Sequence, residues 1–69
     1  MTEFNPFRTR HYKGGVYEVL VEAKLEATQQ SVYVYRSVAT GEVWARPVRE
    51  FEDTVVWNGQ QVKRFTEIS

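Results

Sequence analysis

The 69-residue chain has no cysteine, a single histidine and no long apolar run. The lack of cysteine excludes disulfides and thiolate metal ligands, and one histidine cannot form a histidine metal cluster. We therefore expect no metal and no cofactor. No stretch is apolar enough to cross a bilayer, and the first residues lack the basic start and apolar core of a signal peptide. We expect a cytoplasmic protein that does not contact the membrane.

An excess of charge is also missing, because nine basic residues balance nine acidic ones and the net charge is zero. A uniformly basic nucleic-acid-binding surface is therefore disfavoured. A chain this short buries a modest fraction of its surface. Its aromatic content of 14% can supply the packing that disulfides do not. Dimerisation is a second source of stability.

Alternation of apolar and polar residues predicts β-strands along most of the chain. Residues 16–23 form the first strong strand pattern, and a helix over residues 20–30 is its competitor. Residues 31–38 and 43–48 predict two more strands. One predicted face of the first strand holds Tyr17, Val19, Val21 and Ala23.

The turn at Thr40 and Gly41 joins the second and third of these strands, and its length sets the pairing. A two-residue loop pairs Tyr35 with Arg46. A three-residue loop with a bulge at Gly41 would shift the pairing by one residue and mix the two faces. We favour the two-residue loop because it puts the small aliphatic residues together. The opposite face, called the aromatic-basic face below, then holds Tyr33, Tyr35, Trp44 and Arg46.

Asn58 and Gly59 are the strongest hairpin signal in the chain. A two-residue loop there brings Asp53 opposite Arg64. Residues 48–52 form a short link, at most about one helical turn by helix geometry. About five short strands with tight turns predict a small all-β barrel or sandwich. Closure into a barrel would remove the exposed strand edges.

The order of several motifs resembles a known family. Arg10-His11-Tyr12-Lys13-Gly14 is followed by Trp44-x-Arg46-Pro47 and then by Arg64-Phe65. Over residues 10–65 this resembles the bacterial and phage family called domain of unknown function 1653. The resemblance implies an SH3-like β-barrel and no established reaction. We thus predict an all-β fold, a small five-stranded SH3-like barrel of residues 10–66, after a loosely ordered lead-in of residues 1–9.

Catalysis is not predicted, and we assign no catalytic residue. His11 is the only base that titrates near neutral pH, and no serine lies in a nucleophile elbow. Lys13-Gly14-Gly15 lacks the glycine spacing and the following helix of a phosphate-binding loop. The sequence therefore indicates a non-enzymatic protein.

Two groups of residues could bind a ligand. His11 is either a hydrogen-bonded structural residue or a ligand contact with an unperturbed pKa of about 6.5. The aromatic-basic face is either a second small core under the N-terminal segment or a binding platform, where rings stack on planar groups and arginine binds phosphate. The predicted ligand-binding residues are Arg10, His11, Lys13, Tyr33, Tyr35, Trp44 and Arg46.

These residues suit a small anionic or nucleotide-like ligand bound by a non-catalytic module. The alternative is a protein-interaction or assembly module, which would form a homodimer or bind a peptide in an aromatic groove. Binding of single-stranded nucleic acid is a third function, which the zero net charge disfavours.

Overall fold

A computed structural model describes residues 4–68, which form seven β-strands and one helical turn. The elements are β1 (Phe7–His11), β2 (Val16–Lys24), β3 (Ser31–Ser37), β4 (Val43–Pro47), α1 (Val48–Phe51), β5 (Thr54–Trp57), β6 (Gln60–Lys63) and β7 (Phe65–Ile68). The all-β prediction is confirmed. The competing helix over residues 20–30 is not formed, since β2 continues to Lys24.

Five of the strands form one antiparallel sheet in the order β4-β3-β2-β1-β7, and β5 and β6 form a separate hairpin. Within residues 4–68, the outer strands β4 and β7 are not paired with each other. The sheet is therefore open in its hydrogen bonding. The closed five-stranded SH3-like barrel stays a prediction.

The structure differs from the expected loose lead-in of residues 1–9, of which residues 1–3 lie outside the described part. β1 begins at Phe7, which pairs with Val19. Thr9 is buried, and its hydroxyl donates to the carbonyl oxygen of Thr66 at 3.0 Å. The sequence pattern did not predict this strand, because its inward position is held by threonine, a residue that is neither clearly apolar nor clearly polar. At the other end β7 extends to Ile68, beyond the predicted boundary at residue 66.

A β-bulge interrupts β2 between Val19 and Val21. Val19 is fully buried, whereas Val21 is 42% exposed. The extra residue at the bulge reverses the two faces of the strand beyond it. The predicted continuous face was therefore wrong after Val19. Hydrophobic residues stand at both odd and even positions here, so the sequence pattern could not reveal the reversal.

The hairpin between β3 and β4 has a four-residue loop. The amide of Ser37 donates to the carbonyl of Glu42, and the amide of Gly41 donates to the carbonyl of Ser37, both at 2.8 Å. Tyr35 pairs with Trp44, so the two-residue loop was wrong. The register is shifted by two residues, which keeps every side chain on its predicted side because side chains alternate with period two.

The aromatic-basic face is the inner face of this sheet. Tyr35 is buried in a core with Val19, Phe51 and Phe65. Phe51, from α1, stacks on Phe65, from β7, with ring centroids 3.9 Å apart and an interplanar angle of 1°. On the opposite face of the β3–β4 pair, Val43 is exposed. Three aromatic rings therefore dominate this core cluster, although the aliphatic Val32 is also buried.

The last hairpin was predicted in the correct register. Val55 pairs with Val62 around the Asn58-Gly59 turn. The φ angles of these two turn residues are 53° and 76°, as a two-residue hairpin turn of this type requires. Arg64 Nε donates to Asp53 Oδ1 at 2.9 Å, so the predicted ion pair also forms.

We expect Asn58→Ala to destabilise the protein by about 1 kcal/mol, because alanine pays a steric penalty in the left-handed region that asparagine tolerates. Asn58→Gly should cost little or nothing, since glycine adopts positive φ freely. Urea unfolding of the two variants measures the difference. Equal stability of the two variants would contradict the turn conformation.

Candidate functional site

An open cleft of about 300 Å³ lies beside the β3–β4 hairpin. Four aromatic residues line it: Tyr17, Tyr35, Trp44 and Phe65. Its polar lining includes His11, Glu42, Arg46 and the hydroxyl residues Ser37 and Thr40. The cleft thus combines aromatic surface with a cation, a carboxylate and an imidazole.

Strand pairing places one wall of this cleft. Tyr35 lies opposite Trp44 in the β3–β4 ladder, and Tyr33 lies opposite Arg46. Tyr35 is buried, while the side chain of Trp44 stays 50% exposed at the edge of the sheet. The indole of Trp44 is therefore accessible from solvent, and the ring of Tyr35 supports the floor below it.

Arg46 is incompletely paired. Its Nη1 lies 3.6 Å from Oε1 of Glu50, which is four residues further along the chain. Its Nε is buried and has no hydrogen-bond partner within residues 4–68. A buried donor without an acceptor costs about 1–3 kcal/mol. The guanidinium therefore has hydrogen-bonding capacity that the described part of the chain does not use.

His11 is held by the tight turn that follows β1. Its Nδ1 accepts from the amide of Lys13 at 3.1 Å, and its backbone amide donates to the carbonyl of Gly15 at 2.7 Å. Because Nδ1 accepts, the neutral ring carries its hydrogen on Nε2. The ring meets the edge of Phe65 with centroids 5.0 Å apart. His11 therefore has the structural role that we considered, and its Nε2–H has no hydrogen-bond partner within residues 4–68.

The pKa of His11 is lowered from its ordinary value of 6.5, first because burial disfavours the charged ring and then because Arg64, Lys13 and Arg46 are positive. The unfolded chain thus binds this proton more readily than the folded one. Above pH 6.5 His11 is neutral in both the folded and the unfolded chain, so it does not reduce the free energy of unfolding. That free energy falls as the pH falls through the lower pKa of the folded state.

We therefore expect the protein to lose more stability between pH 7.5 and pH 5.5 than its His11→Gln variant does. Urea unfolding at the two pH values measures the loss in each protein. The acidic residues titrate in both and cancel in the comparison. Identical pH dependence in the two proteins would show that His11 is not desolvated.

The other predicted site residues lie away from this cleft. Arg10 is exposed on β1, opposite Val16 in the ladder. Lys13 is exposed, with its Nζ 5.8 Å from the ring centroid of Tyr12. Tyr33 packs against the rings of Phe4 and Phe7 at about 6 Å, as the alternative of a small core under the N-terminal segment predicted. His11, Tyr35, Trp44 and Arg46 are the predicted residues that the cleft brings together.

Five cleft residues were not among the predicted ligand-binding residues: Tyr17, Ser37, Thr40, Glu42 and Phe65. The ring of Tyr17 lines the cleft and meets the ring of Tyr35 with centroids 5.4 Å apart. Glu42 directly follows the predicted turn at Thr40 and Gly41. Its position two residues before Trp44 could have revealed it, because residues i and i+2 of a strand point to the same side.

A second cleft, of about 480 Å³, lies on the other side of the core and differs in charge. Phe7, Tyr33 and Phe51 line it together with Glu52 and Glu67. The pKa of Tyr33 is raised by burial and then by the neighbouring glutamates, which disfavour a second negative charge. This cleft also contains Lys63, but its acidic surroundings do not suit an anion.

Neither a metal site nor a membrane span stands out. Within residues 4–68 no three histidine, cysteine or acidic side chains are grouped so that they could hold a metal ion. No helix in that part of the chain has the length and hydropathy to cross a bilayer.

Comparisons with known proteins agree on one family. The crystal structure of a DUF1653 protein from Bordetella bronchiseptica matches with a TM-score of 0.84 at 29% sequence identity, over 96% of this chain and 88% of that chain. No curated protein matches the chain. The model of the family described as "protein of unknown function (DUF1653)" matches residues 8–67. The chain therefore belongs to the DUF1653 family, as the order of its motifs indicated.

Proposed function

We propose that this protein is a non-catalytic binding module whose cleft takes a small anionic ligand with a planar ring, such as a nucleotide. One observation carries the proposal: the cleft brings the guanidinium of Arg46, whose side chain is 33% exposed, together with the half-exposed indole of Trp44. A ligand oxyanion would pair with this guanidinium, and charge-assisted hydrogen bonds of that kind are among the stronger ones. The Nε2–H of His11 supplies a second donor in the same cleft.

The indole of Trp44 favours a ligand with a ring. Half of this side chain is exposed, whereas the rings of Tyr35, Phe51 and Phe65 are buried in the core. Stacking of a base on an aromatic ring contributes about 1–3 kcal/mol. A cleft of about 300 Å³ is at the lower end of the usual range for ligand pockets. It suits one small molecule.

The hydroxyls in the cleft support binding rather than nucleophilic catalysis. The amide of Thr40 donates to Ser37 Oγ, and the amide of Glu42 donates to Thr40 Oγ1, both at 3.2 Å. These hydroxyls stabilise the loop that carries Glu42. An activated nucleophile would instead need a base within hydrogen-bond reach.

A two-dimensional amide NMR titration tests the proposal, with nucleotides in one pool and aromatic carboxylates and sugar phosphates in a second. We expect selective shifts of the Trp44 indole and of the His11 and Arg46 signals. The amide of Glu67, in the second cleft, is the internal control and should not move. No shift with either pool, in a well-dispersed spectrum, would contradict the proposed function.

A protein-interaction module is the second candidate, and strand β4 favours it. This strand is at the edge of the sheet, and Val43 is 56% exposed next to the exposed Trp44. An exposed edge can pair with a strand of a second copy or of a peptide. Sedimentation that shows a dimer, with Trp44 fluorescence protected from quenching at high concentration, would favour this function over an open ligand site.

A further inference from the structure

The arrangement of charges along the cleft restricts the chemical class of the ligand more than a requirement for negative charge alone does. We propose, on the basis of the binding function above, that the ligand is a guanine nucleotide. Its base stacks on Trp44 and donates two hydrogen bonds to Glu42. Its phosphate lies at Arg46 and at the Nε2–H of His11.

The spacing along β4 supports this orientation. Glu42 continues the β3–β4 ladder by one residue, because its carbonyl accepts from the amide of Ser37 at 2.8 Å. Glu42, Trp44 and Arg46 are alternate residues, and all three line the cleft. Strands rise about 3.3 Å per residue, so the Cα atoms of Glu42 and Arg46 lie about 13 Å apart, with Trp44 between them. The row therefore runs from an acceptor, through a stacking surface, to a cation.

A ligand that carries only negative charge does not account for the presence of Glu42 in the cleft. Glu42 is exposed, and within residues 4–68 its carboxylate forms no salt bridge. An ionised carboxylate only accepts hydrogen bonds. It would repel a phosphate placed beside it, while Arg46 attracts one at the other end. A matching ligand is negative at one end and carries hydrogen-bond donors at the other.

Among the common bases, guanine presents the best donor edge to a carboxylate. Its N1–H and its N2 amino group lie side by side and match the two oxygens of one carboxylate. The pairing edge of adenine or cytosine offers one amino group beside a ring nitrogen that is itself an acceptor. That acceptor would face a carboxylate oxygen and weaken binding. Bidentate pairs of this kind are a common means by which proteins discriminate between bases.

The test compares the affinities of guanosine and adenosine 5′-monophosphate by calorimetry. We expect the wild-type chain to bind the guanine nucleotide at least 10-fold more tightly, the factor that corresponds to about 1.4 kcal/mol. Glu42→Gln should abolish this preference by weakening the guanine nucleotide alone, since the amide keeps the shape but offers one acceptor. Glu67→Gln, an exposed carboxylate on β7 in the second cleft, is the matched control and should change neither affinity.

The outcomes separate this inference from the function on which it rests. Equal affinities for the two nucleotides, both lost in Arg46→Ala, would overturn the guanine assignment and leave the anion site in place. Binding of only non-nucleotide anions would do the same. Affinities that do not respond to Arg46→Ala would overturn both proposals. Amide NMR spectra of each variant show that it remains folded.

Discussion

Phe65→Ala should abolish the cooperative unfolding transition of the chain, or leave a folded state of very low stability. Phe65 is 7% exposed and stacks on Phe51. It also meets the rings of Tyr17 and Tyr35 at 5.8 and 5.7 Å. Removing a buried phenylalanine ring costs about 3–5 kcal/mol. At about 0.05–0.15 kcal/mol per residue, a chain of this length has roughly 3–10 kcal/mol of stability in total. One ring therefore represents much of the stability.

Urea unfolding followed by far-ultraviolet circular dichroism measures this loss. Phe51→Ala should be similarly damaging, because Phe51 is the part of α1 that is buried in the core. Val56→Ala is the control, since Val56 is 76% exposed on the last hairpin and should be nearly neutral. If Phe65→Ala unfolds within about 1 kcal/mol of wild type, a typical value for point mutants, the stacked pair is not the centre of the core.

Arg46→Ala should weaken binding of the anionic ligand by about 10- to 150-fold. This range corresponds to the roughly 1.5–3 kcal/mol of a hydrogen bond to a charged group. The loss should appear in the affinity and not in the stability. The substitution removes a buried donor that has no acceptor within residues 4–68, and it breaks only a long, exposed contact of 3.6 Å with Glu50.

Arg46→Met separates binding from a structural role, because it keeps the length of the side chain and removes the charge. We expect it to fold as stably as wild type while binding as weakly as Arg46→Ala. Arg49→Ala, an exposed arginine on α1 outside the cleft, is the matched control and should keep full affinity. Destabilisation by Arg46→Met with unchanged affinity would make Arg46 a structural residue and contradict the site.

Local patterns were enough to place most strands and to sort their side chains. Alternation with period two identified β2, β3 and β4, because successive side chains of a strand point to opposite sides. For the same reason Trp44 and Arg46 were placed on one side, even though the loop before them was predicted two residues too short. The Asn58-Gly59 turn was predicted in full. Its conformation depends on two adjacent residues that tolerate positive φ.

Contacts between distant parts of the chain determined the rest. A local pattern separates two faces of a strand, but it does not say which face another element will cover. Phe51 and Phe65 cover the aromatic-basic face, bury Tyr35 and leave Val43 exposed. These contacts also separate Tyr33, in the core beside Phe7, from Trp44 at the cleft.

The cleft itself is a product of these long-range contacts. His11 reaches it from the end of β1, and its ring contacts Phe65, more than fifty residues later in the sequence. The four-residue loop before Glu42 brings Ser37, Thr40 and Glu42 to the same cleft. The amino-acid pattern predicted His11, Trp44 and Arg46 as ligand contacts, and the structure brings these three residues to one cleft. Their common location depends on the packing of β7 and α1 against the sheet, a non-local interaction that residue spacing does not encode.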